Sequence, residues 1–361
     1  MSKEIISIFE LILGIVILFS GGEFFVRGSV ELAKILKIPQ LVIGLTIVAL
    51  GTSSPELFVS LNSLYKGSDA LAVSNVVGSN IFNIFVVLGL SALISPLKVD
   101  NRLLKRDVPL LIGVSGAVWG ISSSGKLSWQ PGLFLLFILF INTIWEIRKV
   151  NEDVNDEVAK ISNKKDSIKS KFFIALVNLF GGIVLLTFGS NLLVKSATYI
   201  AQYLGVNEII IGLTIVSVGT SLPELITSLV ATFRGRTDLA IGNVIGSCLL
   251  NQLFVLSSCA ISSGSNGLVV ESALINKDFP IMVISTLVCM PIFWTKGKIS
   301  RLEGFGLFSC YILYVVDKII PYVNISLIPY YRIFIIYLFI PIATLVLTFK
   351  SFKFYYLSKN N

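Results

Sequence analysis

Long apolar runs separated by short polar turns dominate the pattern of hydrophobic and polar positions along this chain. A run of about 20 apolar residues crosses the roughly 30 Å hydrocarbon core of a bilayer as an α-helix. Eleven segments meet this description: 4–26, 38–64, 69–95, 107–124, 131–148, 172–197, 207–233, 238–263, 278–295, 303–320 and 329–350. The pattern therefore predicts an all-α polytopic membrane protein.

The composition supports the same class of protein. Among the 361 residues, 54% are hydrophobic and 14% are charged, whereas a soluble domain carries about 25% charged residues. The one long polar stretch, 149–171, carries both signs of charge and predicts a flexible linker. We accordingly expect a first five-helix repeat at 1–148, the linker, a second five-helix repeat at 172–320, and an extra C-terminal helix and tail at 321–361.

Lysine and arginine are distributed unevenly between alternate turns. With the N-terminus outside, the inward-facing segments hold 22 of the 29 basic residues, as the positive-inside rule requires. The linker 149–171 is then cytoplasmic, and the net charge of +8 reflects basic loops beside anionic lipid instead of a nucleic-acid partner. Because five spans precede the linker, the second repeat enters the membrane from the opposite side, which predicts inverted-topology repeats.

A 41-residue segment occurs twice within these repeats. Residues 44–84 and 212–252 match at 21 of 41 positions without gaps, as expected of a duplicated structural unit. Each copy carries one carboxylate, Glu56 or Glu224, within an apolar span. A carboxylate there costs roughly 2.5–3.5 kcal/mol and usually has a function. Equivalent acids in two inverted halves predict a single ion site to which both halves contribute.

Oxygen atoms surround each acid in the sequence. Pro55 has no N–H, so the carbonyl oxygen of Gly51 loses its helical partner, and we expect the helix to loosen or kink there. Irregular backbone at membrane depth is tolerated where it lines a polar cavity. The hydroxyls of Thr52 and Ser53 complete an all-oxygen set of the kind that Na⁺ and Ca²⁺ prefer. The second copy supplies Gly219, Thr220, Ser221, Pro223 and Glu224.

A polar helix face lies downstream of each acid. Asn75, Ser79 and Asn83 recur every four residues and so share one face of a helix. The second copy repeats this face with Asn243, Ser247 and Asn251. Amide oxygens can ligate a cation without adding charge, so these residues are further candidate ligands.

The segments GTSSPEL…GSNIFN and GTSLPEL…GSCLLN resemble the two alpha repeats of the sodium/calcium exchangers in the calcium/cation antiporter superfamily. The resemblance is closest to the compact prokaryotic members, and it covers residues 1–320. It implies ten core helices in two inverted halves around a central cluster of four cation sites. It also implies exchange of three Na⁺ for one Ca²⁺ across the plasma membrane of a prokaryote.

The resemblance further implies which residues hold the transported ions. The side chains are those of Glu56, Glu224, Thr52, Ser53, Ser79, Asn83, Thr220, Ser221, Ser247 and Asn251, and the carbonyl groups of Ala49 and Ser217 match positions used for Na⁺. The chain departs from the family in three places. Asn251 stands where some relatives have aspartate, Cys248 stands where the first copy has Asn80, and the segment 329–350 lies beyond the usual ten helices.

The sequence therefore predicts a secondary antiporter that exchanges Na⁺ for Ca²⁺ by alternating access, with net charge movement. Exchange of Ca²⁺ for H⁺ is an alternative, because a buried glutamate can take up a proton in place of a cation. A passive cation channel is an alternative from another class. The chain has no histidine and no Walker motif, which argues against His-ligated metals and direct ATP-driven transport. We expect no catalytic residues, no cofactor beyond the transported ions, and no obligate protein partner.

Overall fold

The computed structural model describes residues 3–157, 165–206, 215, 217–294, 297–323, 325–339 and 341. The helices are α1 Lys3–Leu36, α2 Gln40–Tyr65, α3 Asp69–Ile94, α4 Val108–Ser122, α5 Trp129–Glu157, α6 Lys165–Tyr203, α7 Leu222–Phe233, α8 Thr237–Ser262, α9 Leu274–Trp294, α10 Arg301–Val323 and α11 Ile328–Phe334. Within the described ranges, eight of these helices are long and apolar enough to cross a membrane. The prediction of an all-α polytopic membrane protein is confirmed.

Two short antiparallel strand pairs join the first half of the chain to the second. The strands are β1 Leu97–Lys98, β2 Lys126–Leu127, β3 Leu268–Val269 and β4 Lys298–Ile299. Strand β1, which follows α3, pairs with β4, which follows α9, whereas β2, after α4, pairs with β3, after α8. The loops after α3 and α9 thus meet each other, and so do the loops after α4 and α8. In each pair, the loop after the third helix of one half meets the loop after the fourth helix of the other half. Two halves of opposite orientation in the membrane place these loops on the same face.

Helices α1 and α6 lie against each other with almost no side chain between them. Their contact uses small residues spaced seven apart: Ser7, Gly14, Gly21 and Gly28 in α1, and Ala175, Gly182, Gly189 and Ser196 in α6. A Cβ atom on Gly28 would stand 2.6 Å from the backbone nitrogen of Leu179, and one on Gly182 would stand 2.6 Å from that of Phe25. Small residues at such positions allow the close backbone approach that holds membrane helices together.

The polar region between the two halves differs from the predicted flexible linker. Helix α5 continues to Glu157 and α6 begins at Lys165, so both described ends of the segment 149–171 are helical. No glycine or proline interrupts the sequence between residues 133 and 180, and its charged and aliphatic residues have good helix propensity. The helices therefore extend beyond the apolar spans that they contain.

Two predicted spans fall partly outside the described residues. The span predicted at 207–233 is described at residue 215 and from residue 217 onward, and α7 forms its second part. The eleventh span, predicted at 329–350, starts as α11 and continues as a π-helical segment, Ile335–Phe339. Its remainder lies outside the described residues apart from position 341.

Deletion of the eleventh segment is expected to leave exchange intact. A chain ending at Asn324 keeps both copies of the duplicated segment, and α11 contributes no acid to the predicted ion site. The hydrogen bond from the Tyr331 hydroxyl to the carbonyl oxygen of Leu313 joins α11 to α10 and is lost with it. Ca²⁺ uptake by the purified, reconstituted truncation should match that of the full chain. Loss of uptake in a truncation that elutes as a single folded species would assign α11 a role in transport.

Candidate cation-binding site

A break in helix α2 places Glu56 at the start of a new helical segment. Residues Ala49–Thr52 are helical, Ser53 leaves the helix with ψ 2°, and a new helix begins at Ser54 with Pro55 in its first turn. Because the N-terminus of a helix carries a partial positive charge, a carboxylate in the first turn is stabilised. The break that the proline predicted is therefore present, one residue before the new helix.

The second copy reproduces this break. Ser221 has ψ 7°, and α7 begins directly after it with Pro223 and Glu224 in the first turn. Pro223 deprives the carbonyl group of Gly219 of its helical donor. The hydroxyl group of Ser190 in α6 donates to this carbonyl oxygen at 2.5 Å. Helix α6 thus stabilises the broken backbone beside the second acid.

Each acid is held by a hydroxyl group from the opposite half of the chain. The Ser221 hydroxyl donates to Oε1 of Glu56 at 3.0 Å, and the Ser53 hydroxyl donates to Oε1 of Glu224 at 3.1 Å. Both carboxylates are fully buried. The structure therefore brings the two predicted acids into one pseudo-two-fold arrangement.

Asn75 holds the helix break beside Glu56 in place, and its amide oxygen takes part in these contacts. Its Nδ2 donates to the Ser60 hydroxyl at 3.0 Å and to the backbone oxygen of Glu56 at 3.4 Å. Its Oδ1 accepts a hydrogen bond from the Thr220 hydroxyl of the other half at 3.1 Å. An amide oxygen engaged in this way positions the break instead of facing an ion.

Asn243 makes the equivalent contacts in the second half. It donates to Ser228 at 2.9 Å and to the backbone oxygen of Glu224 at 3.3 Å, and it accepts from Thr52 at 3.1 Å. Ser60 and Ser228 are site residues that the sequence analysis missed. Both are identical in the two copies and follow the acids by four residues, so the signal was available.

The serines of the polar faces join this network. The hydroxyls of Ser221 and Ser79 lie 2.9 Å apart, and those of Thr52 and Ser247 lie 3.4 Å apart. The carbonyl oxygen of Ala49 accepts from the backbone N–H of Ser53 at 2.9 Å and lies 3.3 Å from the Thr52 hydroxyl oxygen. Ser217 begins the short helical turn Ser217–Gly219. Its side chain lies outside what the structure describes.

Four oxygen atoms at the centre have no hydrogen-bond partner within the described part of the chain. They are Oε2 of Glu56, Oε2 of Glu224, Oδ1 of Asn83 and Oδ1 of Asn251. A buried oxygen atom without a partner lowers the stability of the folded protein by about 1–3 kcal/mol. Four such atoms together favour a ligand that binds to oxygen. Na⁺ and Ca²⁺ have this preference. These four oxygen atoms are therefore suitable ligands for hard cations.

Irregular helix geometry occurs where the two asparagines lie. A π-helical segment begins at Asn83 in α3 and another at Asn251 in α8. Such segments are rare and are frequent at functional sites. Among the described residues, no group of three His, Cys, Asp or Glu side chains could hold a metal. The site therefore combines two acids with neutral oxygens.

A cavity of about 720 Å³ reaches this site from one face of the molecule. Its deep end is lined by Asn75, Thr220 and Pro223, and it extends along α2 and α3 toward the face that carries the α2–α3 turn. Gly78 also lines it, and no described atom lies within 4 Å of the place where its Cβ would stand. The cavity therefore reaches the residues that hold the two helix breaks in place.

The opposite face is closed by direct backbone packing of α2 on α8. A Cβ atom on Gly246, the counterpart of Gly78, would stand 2.6 Å from the carbonyl oxygen of Leu45. At this face Glu23 of α1 also pairs with Arg234, at 2.6 Å, directly after α7. Helices α2 and α8 are thus in direct backbone contact at this face.

These features define a membrane transporter for cations, in which two inverted halves share a buried oxygen site. The chain belongs to the sodium/calcium exchanger protein family, whose sequence pattern matches residues 6–148 and 174–319. It is therefore an integral membrane protein of an exchanger family and not an enzyme. The resemblance inferred from the duplicated motifs is confirmed.

Several relatives match almost along their whole length. The chain is 35% identical over 317 residues to the putative antiporter CaxA of Alkalimonas amylolytica, covering 85% of this chain and 97% of the relative. It is 30% identical over 345 residues to the sodium/calcium exchanger MaX1 of Methanosarcina acetivorans, covering 85% and 96%. A structure of the sodium-calcium exchanger NCX_Mj soaked with 10 mM Na⁺ and no Ca²⁺ matches with a TM-score of 0.76 at 31% identity, covering 87% of this chain and 99% of that one.

Replacement of the prolines at the breaks is expected to weaken ion binding through geometry. In Pro55→Ala or Pro223→Ala, the restored N–H can recapture the carbonyl group of Gly51 or Gly219 and rebuild the helix. One recovered hydrogen bond of about 0.5–1.5 kcal/mol corresponds to a rise of about twofold to tenfold in the apparent Km for Ca²⁺, measured as uptake into vesicles. Pro109→Ala, at the start of α4, is the matched control. Unchanged apparent affinity in both site variants would show that the prolines serve packing alone.

Proposed function

We propose that this protein is a secondary active antiporter that exchanges Na⁺ for Ca²⁺ across the plasma membrane of a prokaryote. The observation that carries the proposal is the pair of buried acids, Glu56 and Glu224, each held by a serine of the opposite half and each with a second oxygen lacking a partner among the described residues. Two negative charges and several neutral oxygens suit one Ca²⁺ or a set of Na⁺ ions.

The proposed ligands follow from the same contacts. Glu56, Glu224, Asn83 and Asn251 present the unpartnered oxygens and are the proposed Ca²⁺ ligands. The hydroxyl-bearing residues and the two carbonyl groups of the predicted set complete the Na⁺ positions: Thr52, Ser53, Ser79, Thr220, Ser221, Ser247, Ala49 and Ser217. The proposed halves are residues 1–148 and 172–320, with the N-terminus outside and the region 149–171 cytoplasmic.

Alternating access is supported by a cavity on one side of the site and a tight contact on the other. The cavity runs along α3, and the tight contact joins α2 to α8. If the halves exchange these arrangements, the same site opens to the other side of the membrane, as inverted repeats allow. A channel needs a path to both faces at once, and the tight approach of Gly246 to Leu45 argues against one.

The test is uptake of ⁴⁵Ca²⁺ into liposomes that contain the purified protein and are loaded with Na⁺. An outward Na⁺ gradient should drive Ca²⁺ accumulation above its equilibrium level, and equal Na⁺ on both sides should not. At zero membrane potential, accumulation without any gradient of Na⁺ or H⁺ is impossible for an antiporter. Ca²⁺ that only equilibrates, regardless of the gradients, would replace the proposal with a channel.

Exchange of Ca²⁺ for H⁺ is the second candidate, because an unpartnered carboxylate oxygen can accept a proton as well as a cation. In both cases protons compete with Ca²⁺ for Glu56 and Glu224, so lowering the pH on the uptake side should inhibit uptake. The two candidates differ in the driving ion. Ca²⁺ accumulation driven by a pH gradient without Na⁺ would favour the proton-coupled antiporter.

A further inference from the structure

The cavity that leads to the ion site has an ion pair in its wall. Asp278, at the start of α9, is buried and accepts hydrogen bonds from the Lys318 ammonium group at 2.7 Å and the Tyr314 hydroxyl at 2.8 Å. The closest distance between the lysine nitrogen and the carboxylate is 2.6 Å. All three side chains line the cavity, and Asp278 and Lys318 are the only charged residues among its described lining.

A lysine is unexpected on a path that cations must take to a doubly acidic site. The first half of the chain shows that the fold does not require it there. Asp107 and Asp278 end equivalent π-helical segments, Leu103–Asp107 and Leu274–Asp278. Position 146 in α5 and position 318 in α10 both lie 17 residues beyond the first residue of their helix.

The charges at these equivalent positions are opposite. The first half has Glu146 where the second has Lys318, and Arg102 and Arg106 neutralise both Asp107 and Glu146. The aspartate at this position, Asp107 or Asp278, therefore pairs with basic residues in both halves. In the second half the basic partner comes from α10 and lines the cavity.

We propose that Lys318, balanced by Asp278, sets the relative capture of Ca²⁺ and Na⁺ at the open face of the transporter. The inference rests on the proposed exchange of these two ions at the central site. Neither residue contacts that site. They act through the electrostatic potential in the cavity that every ion crosses on its way to Glu56 and Glu224.

The physical basis is the valence of the two ions. A fixed charge changes the local concentration of an ion by a factor that depends exponentially on the ion's charge. If one added negative charge raises the local Na⁺ concentration by a factor f, it raises that of Ca²⁺ by f². A unit charge about 10 Å from the path, in water-like surroundings, gives f of about 2. The expected change is therefore about twofold for Na⁺ and about fourfold for Ca²⁺.

The experiment uses right-side-out membrane vesicles that contain the full chain and are loaded with Na⁺. Two constants are measured: the apparent Km for external ⁴⁵Ca²⁺, and the external Na⁺ concentration that halves uptake when Ca²⁺ is well below that Km. In Lys318→Gln the Km should fall about fourfold and the half-inhibiting Na⁺ concentration about twofold. In Asp278→Asn, which leaves the lysine unbalanced, both should rise by these factors. The double variant, with no charge at either position, should resemble the wild type.

Lys126→Gln is the matched control, because Lys126 is an exposed lysine of β2 on the same face that does not line the cavity. It should shift neither constant. Raising the ionic strength with choline chloride should reduce the effects of the cavity variants, since salt screens exposed charges. A structural role would instead make the double variant the most damaged of the three, with both ions affected by the same factor.

The outcomes separate this inference from the proposed function. If neither a Na⁺ gradient nor an H⁺ gradient drives Ca²⁺ uptake into wild-type vesicles, the exchange function is overturned, and the inference with it. Two results in active vesicles would overturn the inference alone. One is that Lys318→Gln shifts the constants in the same direction as Asp278→Asn does. The other is that a variant shifts the Ca²⁺ constant and the Na⁺ constant by equal factors. Shifts of opposite sign in which the Ca²⁺ factor is the square of the Na⁺ factor would support it.

Discussion

Glu56→Gln and Glu224→Gln are each expected to abolish Ca²⁺ transport. A carboxylate about 2.4 Å from a divalent ion contributes at least about 3.5 kcal/mol, even with the dielectric constant of water. Loss of one charge therefore lowers Ca²⁺ affinity by at least about 300-fold. Initial rates of ⁴⁵Ca²⁺ uptake at a fixed Na⁺ gradient measure the effect, and both variants should fall to the level of empty liposomes.

The folded protein should survive both substitutions. Glutamine keeps an oxygen that can accept the hydrogen bond from Ser221 or Ser53, and removal of a buried charge relieves a desolvation cost. The thermal unfolding midpoint of each variant should therefore equal or exceed that of the wild type. Glu31→Gln is the matched control, because Glu31 pairs with Lys34 on the exposed part of α1. Wild-type uptake in either site variant would place the Ca²⁺ site elsewhere.

Ca²⁺ accumulation driven by Na⁺ is expected to depend strongly on membrane voltage. One Ca²⁺ neutralises Glu56 and Glu224, and two Na⁺ do the same. The exchange of three Na⁺ that the family resemblance implies therefore moves one net positive charge in each cycle. That charge crosses a field worth about 2.3 kcal/mol per 100 mV. At a fixed Na⁺ gradient, a change of 100 mV should alter the Ca²⁺ accumulation ratio by about 50-fold.

Liposomes clamped with K⁺ and valinomycin provide the measurement. With Na⁺ inside, an inside-positive potential should increase Ca²⁺ accumulation and an inside-negative potential should decrease it. Liposomes that contain the inactive Glu56→Gln variant control for leakage under the same clamp. Accumulation that is indifferent to voltage would show electroneutral exchange, with two Na⁺ for each Ca²⁺, and would exclude the three-for-one stoichiometry.

The sequence was most informative where an unusual residue has one physical consequence. A proline removes one backbone donor, so the breaks before Glu56 and Glu224 could be expected at Pro55 and Pro223, and both are present. The π-helical segments that begin at Asn83 and Asn251 could not be expected in this way. No residue type encodes the wider turn of a π-helix, so its position does not follow from the sequence.

Contacts between residues far apart in the chain could also not be predicted from the sequence. The pairing of Asp278 with Lys318 depends on how α10 lies against α9, which hydrophobic periodicity does not specify. Asn75 and Asn243 accept hydrogen bonds from Thr220 and Thr52 of the opposite half, and these contacts needed the other half of the molecule in place. The cavity along α3 could not be predicted either, because its shape depends on how the helices of the two halves pack.

The cross-half contacts have the form of an interface between two identical subunits. Ser53 binds Glu224 as Ser221 binds Glu56, and β1 pairs with β4 as β3 pairs with β2. A homodimer with a two-fold axis shows this reciprocity. The chain is in effect a dimer whose subunits are covalently joined and free to diverge. Each half therefore serves as an internal reference for the other, and a substitution can be compared with its mate under the same lipid, voltage and salt.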